Sequence, residues 1–232
     1  MKKVFYSFLL GLTLLGMIIW SIPLGVFAPK HSNTPVTTNL ITNLEPTPSI
    51  TITNSKIMEP KILMLIAFKD FRDEEYFIPK EIFEKNGYLI ETVSSQKGIA
   101  LGASGNEAVV TKVPSEINPT DYEALVVCGG PGMIKNLDNP DFQKLVLAFY
   151  QKNKLVAAIC AGPALLAKAG ILKGIKATVW SSSLDKSLVK ILETNGALYD
   201  KGPVIKDGQI ITANGPDAAQ EFAEKIVETL AK

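Results

Sequence analysis

One histidine stands in this chain of 232 residues, and it is His31, inside a stretch rich in Pro, Thr, Ser and Asn. Its absence elsewhere removes Cys/His and Ser/His catalytic pairs from the rest of the chain, along with any His-ligated zinc site. Cysteine is almost as scarce: the chain has only Cys128 and Cys160. Neither lies near the apolar N-terminal segment, which excludes a lipoprotein anchor there. Neither sign of charge is in excess. Lys plus Arg is 24, Asp plus Glu is 23, the net charge is +1, and with no basic block a nucleic-acid partner is disfavoured. No internal repeat is visible.

What is present falls into three parts. Lys2 and Lys3 precede an uncharged, mostly apolar run from Val4 to Ala28. As a helix it would extend about 37 Å at about 1.5 Å per residue, more than a hydrocarbon core of roughly 30 Å. Val26-Phe27-Ala28 is an acceptable small-residue cleavage pattern, but Pro29 directly after it would hinder the cut. Residues 1–28 are therefore expected to be an uncleaved transmembrane anchor at the cell membrane, with everything after them outside the cytoplasm. The alternative is secretion after cleavage near Ala28. Residues 29–59 are Pro-, Thr-, Ser- and Asn-rich with few charges and read as a disordered tether. Residues 60–232 are expected to form one α/β domain, since domains cluster near about 100 to 200 residues.

Within that domain helical and strand patterns alternate. KILMLIA from Lys61 is a continuous apolar run of strand length, as expected of a strand covered on both faces of a parallel sheet. Asp73 to Asn86 reads as a helix closed by Gly87, and Tyr88 to Val93 as the next strand. Glycines 98, 102 and 105 suggest a small hairpin excursion between Gln96 and Val113. Ala124 to Cys128 and Leu155 to Ile159 are further buried strands, and 141–152, 163–169 and 184–195 read as helices. A hairpin turned at Asp207-Gly208 and a closing helix from Pro216 to Leu230 complete the pattern. The expected architecture is a doubly wound, flavodoxin-like sandwich with a mainly parallel sheet.

In such a sheet the working groups gather at the carboxyl ends of the strands, and three segments end there. The most informative is LVAAICAGPALLAKAG, Leu155 to Gly170. An apolar run ends at Cys160, and Ala161, Gly162 and Pro163 lead straight into a helical pattern, as in a nucleophile elbow. A thiol there, at a helix N-terminus, is expected to titrate low and react readily. The second segment is Cys128-Gly129-Gly130-Pro131-Gly132, where glycines let backbone N–H groups approach a ligand. The third is FKDFRDEEYFIP with Asp73, Glu74 and Glu75; Asp73 and Glu74 read as ordinary acidic residues of a helix's first turn. Cys128 reads as a buried neutral thiol, though outside the cytoplasm it could pair with Cys160.

Together AAICAGP, VVCGGPG and DGQIITANGP resemble the ThiJ/PfpI superfamily over about Lys61 to Leu230. That resemblance implies a class I glutamine amidotransferase-like fold. It implies Cys160 as nucleophile, Glu75, four residues before Pro79, as its acid/base partner, and the N–H groups of Gly130 and Ala161 as oxyanion donors, beside Gly129 in the pocket. The chain departs from the pattern in two places. PfpI-type members carry His directly after the nucleophile, where this chain has Ala161, and where many relatives hold another His it has Trp180, expected to wall the pocket. The glutamine amidotransferase triad is thereby excluded. The activity implied is glyoxalase-like or deglycase-like chemistry on small reactive carbonyls, needing no cofactor, metal or nucleotide. The alternatives are a non-catalytic redox-sensing or protective protein using the same Cys and, more weakly, a cysteine peptidase. The partners implied are a small carbonyl compound or a peptide, and the membrane through the anchor, with a homodimer left open.

Overall fold

The computed structural model describes residues 59–232. The expected anchor, and the tether up to residue 58, lie outside the described residues. Among those described, no helix is long and apolar enough to cross a membrane.

In chain order the strands are β1 (Lys61–Leu65), β2 (Lys69–Phe71), β3 (Leu89–Val93), β4 (Gly98–Gly102), β5 (Glu107–Val110), β6 (Ala124–Val127), β7 (Leu155–Ile159), β8 (Lys176–Ala177), β9 (Leu198–Tyr199), β10 (Val204–Asp207) and β11 (Ile210–Ala213). The helices are α1 (Asp73–Lys85), α2 (Pro131–Lys135), α3 (Pro140–Gln151), α4 (Gly162–Lys168), α5 (Ser187–Thr194) and α6 (Ala219–Leu230). Six strands form the main sheet in the order β10-β11-β7-β6-β1-β3. Every neighbouring pair in it is parallel except the β10–β11 hairpin. The continuous apolar runs fall at its centre: β6 and β7 are buried at every position, and β1 at all but Lys61. Residues this deeply covered need helices on both faces. α1 packs against α6, and α3, α4 and α5 pack in series.

The structure is the expected mostly parallel α/β sandwich, with informative local differences. The excursion after β3 is a hairpin, β4–β5, but β2 joins it as a parallel third strand. The glycine loop after β6 turns into the short helix α2, with Pro131 preset for its first turn. The helix expected from Leu184 begins at Ser187 instead. Ser182 Oγ accepts the N–H groups of Leu184 and Asp185, and Asp185 accepts that of Ser187. These local bonds compete with helix formation and leave the Leu184 side chain 97% exposed.

Candidate active site

The parallel register of β6 and β7 brings their carboxyl ends side by side, so the Cys128–Gly130 turn and the Cys160 turn meet. Cys160 adopts φ 59°, in the left-handed region that non-glycine residues rarely occupy. Both of its backbone groups are held. Its N–H donates to the Ala213 carbonyl at 2.9 Å, and its carbonyl accepts from Trp180 N–H at 3.0 Å. The small residues around it are required by closeness. A Cβ on Gly162 would stand 2.7 Å from the Val127 carbonyl oxygen, and one on Gly129 2.6 Å from Ala161 N and 2.8 Å from Glu75 Oε2. The elbow read from the sequence is thus present as a backbone feature.

Glu75 lies in the first turns of α1, fully buried. Its Oε2 accepts the Gly129 N–H at 2.8 Å. Its Oε1 is buried without a partner of ordinary hydrogen-bond geometry, yet the carboxyl lies close enough to the Cys160 thiol for each to shift the other. The spacing of Glu75 and Pro79 has a physical basis. Pro79 has no N–H to close the helical bond back to the Glu75 carbonyl, and the Cys128 thiol donates to that freed oxygen at 3.3 Å. One residue therefore touches both cysteines, through its carboxyl and through its backbone.

Burial pushes the Glu75 carboxyl up to about 7, against the lowering influence of Cys160, the Gly129 N–H and the positive charge of Arg72. Burial also pushes the Cys160 thiol up to about 12, and the Glu75 negative charge adds to the rise, while the amides of Gly130 and Ala161 pull it down. This corrects the expectation of an acidic thiol. A buried sulfur facing a carboxylate keeps its proton, and the amide dipoles offset only part of that cost. The pair holds its negative charge on Glu75 first.

Gly130 and Ala161, expected as oxyanion donors, both face the sulfur, and neither N–H has a backbone acceptor among the described residues. With Trp180 they line a cavity of about 270 Å³ that also includes Arg72, Pro131, Ile134, Leu188 and Pro216. Gly129, expected in the pocket, is not among the residues that line it, because its N–H is turned to the buried Glu75 carboxyl. A larger groove of about 470 Å³ lies at the amino ends of β1 and β3, lined by Lys61, Glu84, Tyr88 and Glu91; it holds neither cysteine. Cys128 is fully buried, its thiol pushed up by burial, and both cysteines are free, so the disulfide considered for them is not formed.

Glu74 is exposed, as expected of an ordinary first-turn residue. Asp73 is not ordinary. It is buried and accepts the N–H groups of Ser104 and Asn106 and the Asn106 side chain, at 2.8, 3.2 and 2.8 Å. Burial works to raise its pKa, but these bonds outweigh it and hold the group below the usual carboxylate range. Asp73 therefore clamps the start of α1 to the β4–β5 hairpin. Arg72 was missed altogether, although it is the chain's one arginine.

A profile described as the DJ-1/PfpI family matches residues 60–229. An uncharacterized protein of Methanocaldococcus jannaschii is 43% identical over 190 residues, covering 79% of this chain and 91% of its own. Protein/nucleic acid deglycase 2 of Escherichia coli is 30% identical over 177 residues, covering 75% of this chain and 99% of its own. The crystal structure of a ThiJ/PfpI domain protein from Brachyspira murdochii superposes with a TM-score of 0.70 at 33% identity, over 74% of this chain and 96% of that one. The elbow at Cys160, the buried Glu75 and these similarities agree: the chain belongs to the DJ-1/PfpI family.

Proposed function

We propose that the domain is an enzyme in which Cys160 adds to small reactive carbonyl compounds while Glu75 moves the proton. The observation that carries this reading is the buried Glu75 carboxyl beside the thiol, with a pKa raised to about 7, where a group exchanges protons most effectively at neutral pH. As the sulfur–carbon bond forms, the thiol proton passes to the Glu75 carboxylate and the carbonyl π electrons move onto oxygen. The Gly130 and Ala161 N–H groups stabilise that oxygen. Glu75 then returns the proton, to give a thiohemiacetal. With a 2-oxoaldehyde it can carry the C1 proton to C2, and water releases a 2-hydroxy acid, so the net change is addition of one water.

Relatives carry names of both kinds, a deglycase of Escherichia coli and a putative cysteine protease of Bacillus subtilis; the lack of a histidine among the described residues favours carbonyl addition over peptide cleavage. A thiol held protonated by burial also offers less support to a spontaneous redox sensor, because oxidation follows thiolate character. Incubating the purified full-length protein with methylglyoxal, and following lactate formation for wild type, Cys160→Ser and Glu75→Gln, tests the reading. It fails if wild type and Cys160→Ser form lactate at the same rate.

The placement of this domain outside the cytoplasm, on the anchor and tether of residues 1–59, is a second part of the proposal and rests on the sequence alone. Protease added to intact spheroplasts should release a fragment beginning within Pro29 to Glu59. Protection until lysis would overturn that placement.

A further inference from the structure

Of the 24 cationic residues in the chain, the single arginine is Arg72, and it lines the cavity that holds Cys160. Its backbone is fixed, the N–H donating to the Gly129 carbonyl at 3.3 Å beside the amide that Glu75 accepts. Its side chain has no such partner. Arg72 Nε is buried without a hydrogen-bond partner, and the guanidinium takes part in no ion pair among the described residues. Of the neighbouring carboxylates, Asp70 pairs with Lys135 at 2.9 Å and Asp73 is held by Ser104 and Asn106, while Glu75 feels the Arg72 charge but accepts its hydrogen bond from Gly129 and none from the guanidinium. A buried, unmatched guanidinium donor carries an energetic cost that a carboxylate or phosphate oxygen would remove. The planar fork suits bidentate binding of such a group in a way lysine does not.

The remaining walls define the rest of the ligand. Ile134, Leu188 and Trp180 make them largely apolar, and a volume of about 270 Å³ suits a small molecule. We infer that Arg72 selects small carbonyl compounds bearing a carboxylate or phosphate, holding that anionic group while the carbonyl carbon meets Cys160. This rests on the carbonyl-adduct reading above and adds a substrate class to it. Glyoxylate is the simplest such compound. The thiol S–H adds across its aldehyde, forming one S–C bond and placing the proton on oxygen, with no oxidant or leaving group.

The test compares two alkylating agents of nearly equal size, anionic iodoacetate and neutral iodoacetamide, on the full-length protein, with Cys160 labelling read by peptide mass and free cysteine measured in parallel. The expected result is an iodoacetate-to-iodoacetamide rate ratio at Cys160 at least about tenfold above that of free cysteine, the size of effect a charge-assisted hydrogen bond gives. Arg72→Gln should bring the ratio down to the free-cysteine value, and Arg72→Lys should restore part of it. Any effect of Arg72 on the reactivity of the thiol itself acts on both reagents and cancels in the ratio; its effect on the Glu75 charge, which acts on the anion alone, is removed by repeating the comparison in a Glu75→Gln background. Protection of Cys160 by glyoxylate against protection by inorganic phosphate distinguishes a carboxylate ligand from a phosphate one. A wild-type ratio equal to that of free cysteine overturns the role of Arg72 and leaves the carbonyl reading standing. If Cys160, held protonated by burial, is too slow with both reagents for a ratio to be read, the carbonyl reading is tested by lactate formation alone. An Arg72-dependent rise in melting temperature with glyoxylate or phosphate then decides the anion site, and no rise overturns it.

Discussion

Cys128 and Cys160 end adjacent parallel strands, each runs into a glycine-bearing turn, and both touch Glu75, yet the structure gives them opposite surroundings. Cys128 is fully covered, and its thiol donates to the Glu75 carbonyl freed by Pro79. Cys160 is held at positive φ by Ala213 and Trp180 and opens onto the cavity, with two amides facing its sulfur. Residue type and strand position do not separate the two. Backbone conformation does, because the left-handed turn lifts one side chain out of the core while the other stays in it.

The largest expected effect breaks this comparison directly. Cys160→Ser should remove at least about 10³-fold of kcat/KM, the loss of a nucleophile being larger than that of a positioned acid or base. Cys128→Ser keeps a donor for the Glu75 carbonyl and should stay within about threefold of wild type, whereas Cys128→Ala orphans that oxygen and should cost about 1–3 kcal/mol of stability. Steady-state rates and urea unfolding check both. Equal losses from the two serine variants would show that the elbow conformation does not decide function.

Glu75→Gln comes next, with about 10²–10⁴-fold lower kcat/KM; Glu74→Gln, at an exposed site, should do nothing comparable. In wild type the rate should rise with pH and level off above about 7, where Glu75 becomes the carboxylate that takes the thiol proton. The inflection belongs to the coupled pair, and Glu75→Gln should abolish it. Stability runs the other way. The folded pKa of about 7 lies above the unfolded value near 4.5, so the stability of the protonated form is fully present below about 4.5 and is lost as pH rises through 7. Glu75→Gln should therefore stabilise the fold at pH 8 by up to about 3 kcal/mol and change little at pH 4. A melting temperature that falls at pH 8 would contradict the burial of that charge.

Gly162→Ala probes the turn itself. The new Cβ would lie 2.7 Å from the Val127 carbonyl oxygen, and backbone cannot yield cheaply, so about 1–3 kcal/mol of destabilisation is expected. A neutral effect in urea unfolding would mean that β6 and the elbow are less closely apposed.

How much of this the sequence carries depends on how local the cause is. ILML, ALVV and LVAAI read as buried strands because parallel central strands are apolar on both faces, and the elbow was legible because Cys160, Ala161, Gly162 and Pro163 each serve one turn. β2 was not, since three residues, KDF, show no periodicity and pair only because the β4–β5 hairpin lies alongside. The sign of the thiol shift was also misread. The amides beside Cys160 are set by neighbouring sequence, but its burial and the facing carboxylate come from strands and a helix far along the chain, and they dominate. Asp73 and Arg72 follow the same rule: one clamps a hairpin about 30 residues away, and the other has meaning only beside a cavity assembled from stretches between Gly130 and Pro216.

The smallest expected effect sharpens the comparison most, because it alters what the two cysteines share without touching either. Pro79→Ala restores an N–H that can close the helical bond to the Glu75 carbonyl, in competition with the Cys128 thiol. The backbone N–H is the stronger donor, so the gained bond and the better helix propensity of Ala offset the lost thiol contact and the buried ring carbons. Stability should stay within about 1 kcal/mol of wild type. The carboxyl is held separately, by the Gly129 N–H at 2.8 Å, so kcat/KM should fall by less than about tenfold, far short of Glu75→Gln. A Cys128 thiol freed of its acceptor should also label sooner in hydrogen-exchange-style pulse alkylation, while Cys160 keeps its rate. If Pro79→Ala instead matches Glu75→Gln in lost activity, the proline sets the position of the carboxylate, and the two cysteines are coupled through the helix backbone rather than merely joined to one residue.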